Sequence, residues 1–164
     1  MSFALKIIGG ACVLIAAAAM ARLYDAFSKR RLSECESFIS LLEHIRSEIS
    51  CFLSPKERIF RGYEDENLER VGFLPLVREG EDMGDAFDKI SQRLLVGKSG
   101  LDILASFFSG LGRGYKDGAM ALGERCIAEF GKYYESLKDE SEKNVKLFRT
   151  VIIGLGLGIL ILLL

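Results

Sequence analysis

The stretch Phe3-Ala-Leu-Lys-Ile-Ile-Gly-Gly-Ala-Cys-Val-Leu-Ile-Ala-Ala-Ala-Ala-Met-Ala21 decides the architecture of this chain. It is apolar or small throughout, with Lys6 the one exception. A helix of this length rises about 28 Å, close to the ~30 Å hydrocarbon layer of a bilayer. Lys6 lies near its end, where a long side chain reaches the headgroups. Residues 1–21 therefore read as an N-terminal transmembrane helix.

The far end repeats the pattern in shorter form. Val151 to Leu164 carries no polar side chain, and its helical length of roughly 21 Å falls short of the bilayer core. Local thinning, with snorkelling by Lys146 and Arg149, closes the gap, so residues 151–164 read as a C-terminal transmembrane segment. The basic side chains lie on the same side of both segments: Arg22, Lys29, Arg30 and Arg31 follow the first, and Lys143, Lys146 and Arg149 precede the second. The positive-inside rule then puts residues 22–150 in the cytoplasm and both termini outside. Gly154 and Gly158 form a GxxxG pair, the spacing that lets membrane helices approach closely. The expected occupant is a partner helix, from another membrane protein or from a second copy of this chain.

A cleaved signal peptide is the rival reading. Lys6 would be its charged region and Ala17-Ala18-Ala19 or Ala19-Met20-Ala21 its cleavage site, releasing an exported helical binding protein near Ala21. That product would begin with a basic cluster and carry an odd number of cysteines. Cys12 lies in the first apolar run, leaving Cys35, Cys51 and Cys126 for the middle. Three thiols cannot pair completely, which favours a reducing compartment and inert, partly buried cysteines.

The 164 residues suffice for one ordinary domain, and 49 % hydrophobic with 27 % charged residues suits a packed core. A net charge of −1 lacks the basic footprint that nucleic acid would require. Residues 22–150 read as an all-α helical bundle. Phe38, Leu41, Leu42, Ile45, Ile49 and Phe52 draw one apolar stripe at helical spacing. Ser54-Pro55-Lys56-Glu57 opens the next helix, with serine as N-cap, proline at the first position and glutamate at the third. Asn67 is the next expected cap, and Pro75 kinks or divides the helix that follows it. Gly80 is a stop. Ala86, Phe87, Ile90 and Leu94 mark a further helix. Ser99 with Asp102 caps one that carries Leu104, Phe107, Phe108 and Leu111, and Gly110, Gly112 and Gly114 break it. Ala119, Leu122, Cys126, Phe130, Tyr133 and Leu137 then predict one continuous helix from about Lys116 into the C-terminal segment.

No reaction constellation emerges. Gly97-Lys98-Ser99 resembles the end of a phosphate-binding loop, but Gln92 stands where that loop needs glycine and no strand precedes it. It reads as a turn between helices. Gly110, Gly112 and Gly114 miss the dinucleotide-binding spacing, because the third position falls on Tyr115. His44 is the single histidine, and it reads as a solvated or capping group. The sequence thus predicts a non-enzyme with no catalytic, cofactor-binding or metal-binding residues.

The order of motifs resembles the stage III sporulation protein AB family over nearly the whole length. Its carriers are the N-terminal helix ending in a basic turn, Ile45-Arg-Ser-Glu-Ile49, Pro55 with Glu57, Gly84 with Ala86-Phe87, and Phe107 through Gly112. Most specific is Glu142-Lys-Asn-Val-Lys-Leu-Phe-Arg149, leading into Gly154-Leu-Gly and a closing aliphatic run. The resemblance implies a soluble domain similar to type II secretion F and type IV pilus platform proteins. It further implies an assembly role, anchoring a cytoplasmic secretion-type ATPase to other membrane proteins of a channel between mother cell and forespore. The implied place is the mother-cell membrane around the forespore, with the bundle in the mother-cell cytoplasm. The resemblance is densest on the polar face of the Phe38–Phe52 helix, so Arg46 and Glu48, with the turn at Pro55 and Glu57, are the expected ATPase contact.

Overall fold

A computed structural model describes residues 2–52, 59–60, 62–111 and 116–163. Among them every regular element is a helix: α1 (Ser2–Phe52), α2 (Glu66–Val71), α3 (Phe73–Arg78), α4 (Met83–Ser91), α5 (Lys98–Gly110) and α6 (Lys116–Leu163). The capped turn expected at Ser54 to Glu57, including Pro55 and Glu57, lies outside the described residues, as do Gly112, Gly114 and Tyr115.

α1 departs from expectation, because no turn separates an N-terminal helix from the Phe38 stripe. The basic residues Arg22 to Arg31 are helical. The reason is local: from Ala11 to Phe52 there is no proline or glycine, and arginine, lysine, leucine and glutamate are good helix formers. Lys29 also pairs with Asp25 one turn earlier, at 2.9 Å. α6 begins at Lys116 and runs unbroken to Leu163, as its stripe predicts. A second correction concerns the spans. Among the described residues one helical tract, within Ala11–Ile49, is long and apolar enough to cross a membrane, where two were expected. The apolar tail of α6 is shorter than such a span requires.

The chain divides into two compact units, one of residues 1–30 with 137–164 and one of residues 31–136. The second unit is built on the α1 stripe. Phe38, Leu41, Leu42 and Ile45 are fully buried, and the Phe38 ring meets Phe73 of α3, Phe87 of α4 and Phe108 of α5 at centroid distances of 6.2, 6.1 and 6.5 Å. Those separations and edge-on tilts are the favourable aromatic geometry.

The short helices between are set by their ends. Asp65, not Asn67, is the N-cap of α2, accepting from the Leu68 N–H at 2.9 Å. Asn67 is drawn away by tertiary partners, donating to the hydroxyls of Ser33 and Ser37, each at 2.9 Å. The division expected at Pro75 falls instead at Gly72, whose φ of 92° suits glycine. Pro75 is then the third residue of α3, in the first turn, where its missing N–H leaves no helical bond unmade. Gly80, at φ 97°, follows the end of α3 as expected. Gly97, not Ser99, is the N-cap of α5 and has no side-chain cap bond. Its N–H donates to the Tyr133 hydroxyl of α6 at 2.9 Å before the helix starts. A Cβ on Gly100 would lie 2.6 Å from Cε1 of Tyr133, so α5 and α6 touch through glycine.

Because Phe38 bridges α1 to three other helices, Phe38→Ala should cost about 3–5 kcal/mol. Asp88→Ala, at an exposed site, should stay within about 0.5 kcal/mol. Thermal unfolding of the full chain in detergent, followed by circular dichroism, checks both.

Candidate functional site

In the second unit the groups that might carry chemistry are engaged in holding the bundle. Glu34, at 1 % exposure, accepts from the Leu95 N–H at 2.8 Å, and Arg70 lies 3.9 Å from its other oxygen. It fixes the turn before α5 to α1. Arg31, expected as a membrane flank, is half-buried here and donates to the Tyr133 hydroxyl at 3.3 Å. The hydroxyl that stops Gly97-Lys98-Ser99 from floating as an open loop is thus held from two sides. His44 hydrogen-bonds the Ile59 carbonyl at 2.8 Å and stacks on Tyr63 at 4.7 Å. The sequence leaves solvated and capping roles open for it; here it is half-buried and bonded to a backbone carbonyl. Arg78 donates to the carbonyls of Phe60 and Tyr63 and pairs with Glu69, closing the same turn.

Burial pushes the Cys35 thiol up to about 12, with Arg31 opposing and Glu34 and Glu36 adding to the shift. Burial likewise pushes Cys126 up to about 12. Neither can supply a thiolate near neutral pH. Among the described residues no group of three His, Cys, Asp or Glu side chains is placed to hold a metal ion.

Of the expected contact residues, Arg46 is exposed and Glu48 half-buried. Arg22, Lys29, Arg30, Lys143, Lys146 and Arg149 are exposed.

The first unit has a different character. Its parts of α1 and α6 pair antiparallel, joined by a Ser28–Ser141 hydrogen bond at 2.7 Å and by Tyr24 stacked on Phe148 at 4.9 Å. Farther along, a Cβ on Gly156 would lie 2.7 Å from Cδ2 of Leu14. Gly156 is the buried glycine of the tract, while Gly154 and Gly158 are exposed with nothing within 4 Å. Sequence spacing singled out the outer two and missed the one that packs within the unit. Its signal would have been a residue as large as Leu14 opposite a backbone contact, which one chain's spacing does not reveal. Between Leu14 and Tyr24 the alanines of α1 leave a groove of about 450 Å³. The large exposed apolar side chains among the described residues all belong to this unit, from Leu14 to Phe27 and from Leu147 to Ile159. Ile15 and Leu23, each 70 % exposed, are the extreme cases.

Among the described residues these surfaces define a helical bundle protein in which one helix is long and apolar enough to cross a membrane. The chain belongs to the stage III sporulation protein AB family, whose model matches residues 6–164, and it is thereby a sporulation protein. No curated protein and no solved structure matches it.

The two buried thiols give a test with a definite sign. An unfolded thiol ionises near 9.0, whereas the folded ones hold their protons to about 12. Their contribution to stability is complete below the unfolded value and is lost as pH rises through that window. The unfolding midpoint should fall from pH 9 toward 12, and less steeply in a Cys35→Ala, Cys126→Ala variant. At pH 8, iodoacetamide should modify both cysteines only after denaturant is added, as read by peptide mass spectrometry.

Proposed function

We propose that this chain is a non-enzymatic membrane platform of the channel between mother cell and forespore. In this reading its bundle faces the mother-cell cytoplasm and anchors a secretion-type ATPase, while its apolar helices join other membrane proteins of the channel. The observation that carries the reading is the segregation of surfaces. Among the described residues the surface of the second unit is rich in exposed charged groups such as Arg46, Asp88, Lys98 and Glu124, whereas the large exposed apolar side chains are confined to the first. Patches of that extent on a soluble monomer mark an interaction or membrane surface.

The same segregation supports a membrane place for residues 151–164. Val151, Ile153, Leu155 and Leu157 are each more than half exposed, as lipid contact requires. The antiparallel register set by Leu14 with Gly156 runs the tail beside most of the apolar run of α1. Cleavage after Ala21 would strip Gly156 of the side chain it packs on, which disfavours the exported binding protein. Arg46, exposed, and Glu48 remain the proposed ATPase contact, with Pro55 and Glu57 adjoining in sequence.

Because Cys35 and Cys126 are buried, topology is better read at an introduced thiol. Asp88→Cys should react with a membrane-impermeant maleimide only after cells are permeabilised. Reaction in intact cells would place the bundle outside and restore the exported reading. With the topology upheld, Arg46→Glu combined with Glu48→Lys should lower co-purified ATPase by about tenfold, the loss of roughly one charge-assisted contact. Unchanged recovery would exclude that face.

A further inference from the structure

The groove of the first unit has the makings of a ligand site. It is closed at one end where Leu14 meets Gly156 and at the other where Tyr24 stacks on Phe148. Its volume of about 450 Å³ lies within the range of small-molecule sites. The walls are apolar, formed by Leu14, Ala17, Ala18, Ile152 and Leu157. At the mouth, where both apolar runs meet the polar sequence, stand Arg22 and Arg149. The antiparallel register brings these two arginines level. The remaining charged group on the rim is Asp25, and its carboxylate is held by Lys29 at 2.9 Å. The rim therefore carries two guanidinium groups against the single carboxylate of Asp25, which pairs with Lys29 outside the groove.

Two exposed cations beside an apolar groove complement a ligand with one anionic head and a hydrocarbon tail. We propose that this groove binds an anionic phospholipid, with its phosphate between Arg22 and Arg149 and an acyl chain along the alanine wall. Guanidinium forks match phosphate oxygens bidentately, and basic pockets between membrane helices on the cytoplasmic side recognise anionic headgroups. A zwitterionic lipid would bring its own ammonium toward the same two arginines and is disfavoured by that charge. Small side chains explain why the space exists: Ala17, Ala18 and Ala21 cannot reach across to α6. The proposal rests on the membrane reading of this unit.

The test uses the full chain in vesicles of equimolar dioleoyl phosphatidylglycerol and dioleoyl phosphatidylcholine, then native mass spectrometry of the protein released into a neutral detergent. Retained phosphatidylglycerol should exceed phosphatidylcholine by about tenfold, the value of roughly one charge-assisted hydrogen bond. Arg22→Gln with Arg149→Gln should abolish the preference. Ala18→Leu, which keeps both arginines and fills the groove, should lower the retention of either lipid. Carbonate washing of the same vesicles separates the two ideas. Extraction of the wild-type chain would sink the membrane reading and the lipid site with it. A chain that resists extraction but holds both lipids equally, or keeps its preference without the arginines, overturns the lipid site alone. A protein dimer that Ala18→Leu dissociates, with no lipid retained, would make the groove a contact between copies and also overturn the proposal.

Discussion

The ring of Phe38, together with that of Phe108, which also meets Phe73 and Phe87, holds the second unit together. It comes from α1 and touches Phe73, Phe87 and Phe108, one from each of three later helices. Two of the helices in that unit have six residues and a third has nine, far below the length at which an isolated helix persists in water. They persist through tertiary contacts: α3 and α4 lay Phe73 and Phe87 on Phe38, and α2 is tied to α1 by Asn67 on Ser33 and Ser37. The sharp turns between them follow from the same demand, since Gly72 and Gly80 let the chain reverse quickly enough to return the next phenylalanine to the core.

The polar side chains serve this packing as well. A turn pressed against a helix buries backbone groups that must find partners or cost ~1–3 kcal/mol each. Glu34 satisfies the Leu95 N–H, the Tyr133 hydroxyl satisfies Gly97, and His44 satisfies the Ile59 carbonyl. The residues most suggestive of chemistry in the sequence are thus employed in joining connections to the bundle. In the platform reading that is what an assembly protein needs: a rigid body whose outer face, rather than an interior cleft, meets its partner.

Much of this was legible in the sequence because the core follows a simple period. Of the predicted stripe members, Phe38, Leu41, Leu42 and Ile45, then Ala86, Phe87, Ile90 and Leu94, then Leu104, Phe107 and Phe108, and finally Cys126, Phe130 and Leu137 are buried, while Ile49, Leu111, Ala119, Leu122 and Tyr133 are half-buried. The capping residues were harder to read. Asn67 has the chemistry of a cap, yet Ser33 and Ser37, thirty or more positions away, compete for it and win. Ser99 lost the cap of α5 to Gly97 because Tyr133 fixes the chain two residues earlier. Both errors are tertiary contacts overriding a local rule. The continuity of α1 through its basic residues was missed for another reason: charge marks a membrane boundary, but it does not break a helix. Among the candidate site residues, the exposure of Arg46 followed from its place on the polar face. The groove beside Arg22 and Arg149 did not follow from the sequence, since it depends on which helices pair and in what register.

The tail of α6 poses the remaining physical problem. Fourteen apolar residues are too few to span a bilayer unaided, and a short span is accommodated by thinning, snorkelling or association with another helix. Here association is available within the chain. Hydrophobic burial cannot drive helix pairing in lipid, so pairing there depends on close packing, and the Leu14–Gly156 contact supplies it by removing one side chain altogether. The alanines that follow Leu14 do the opposite, holding the two helices at a distance they are too small to fill. One glycine closes the pair and a few alanines leave it open, so the same preference for small residues both seats the short tail against α1 and creates the space beside it. A bilayer would fill that space with hydrocarbon, and the two arginines at its mouth decide which headgroup comes with it.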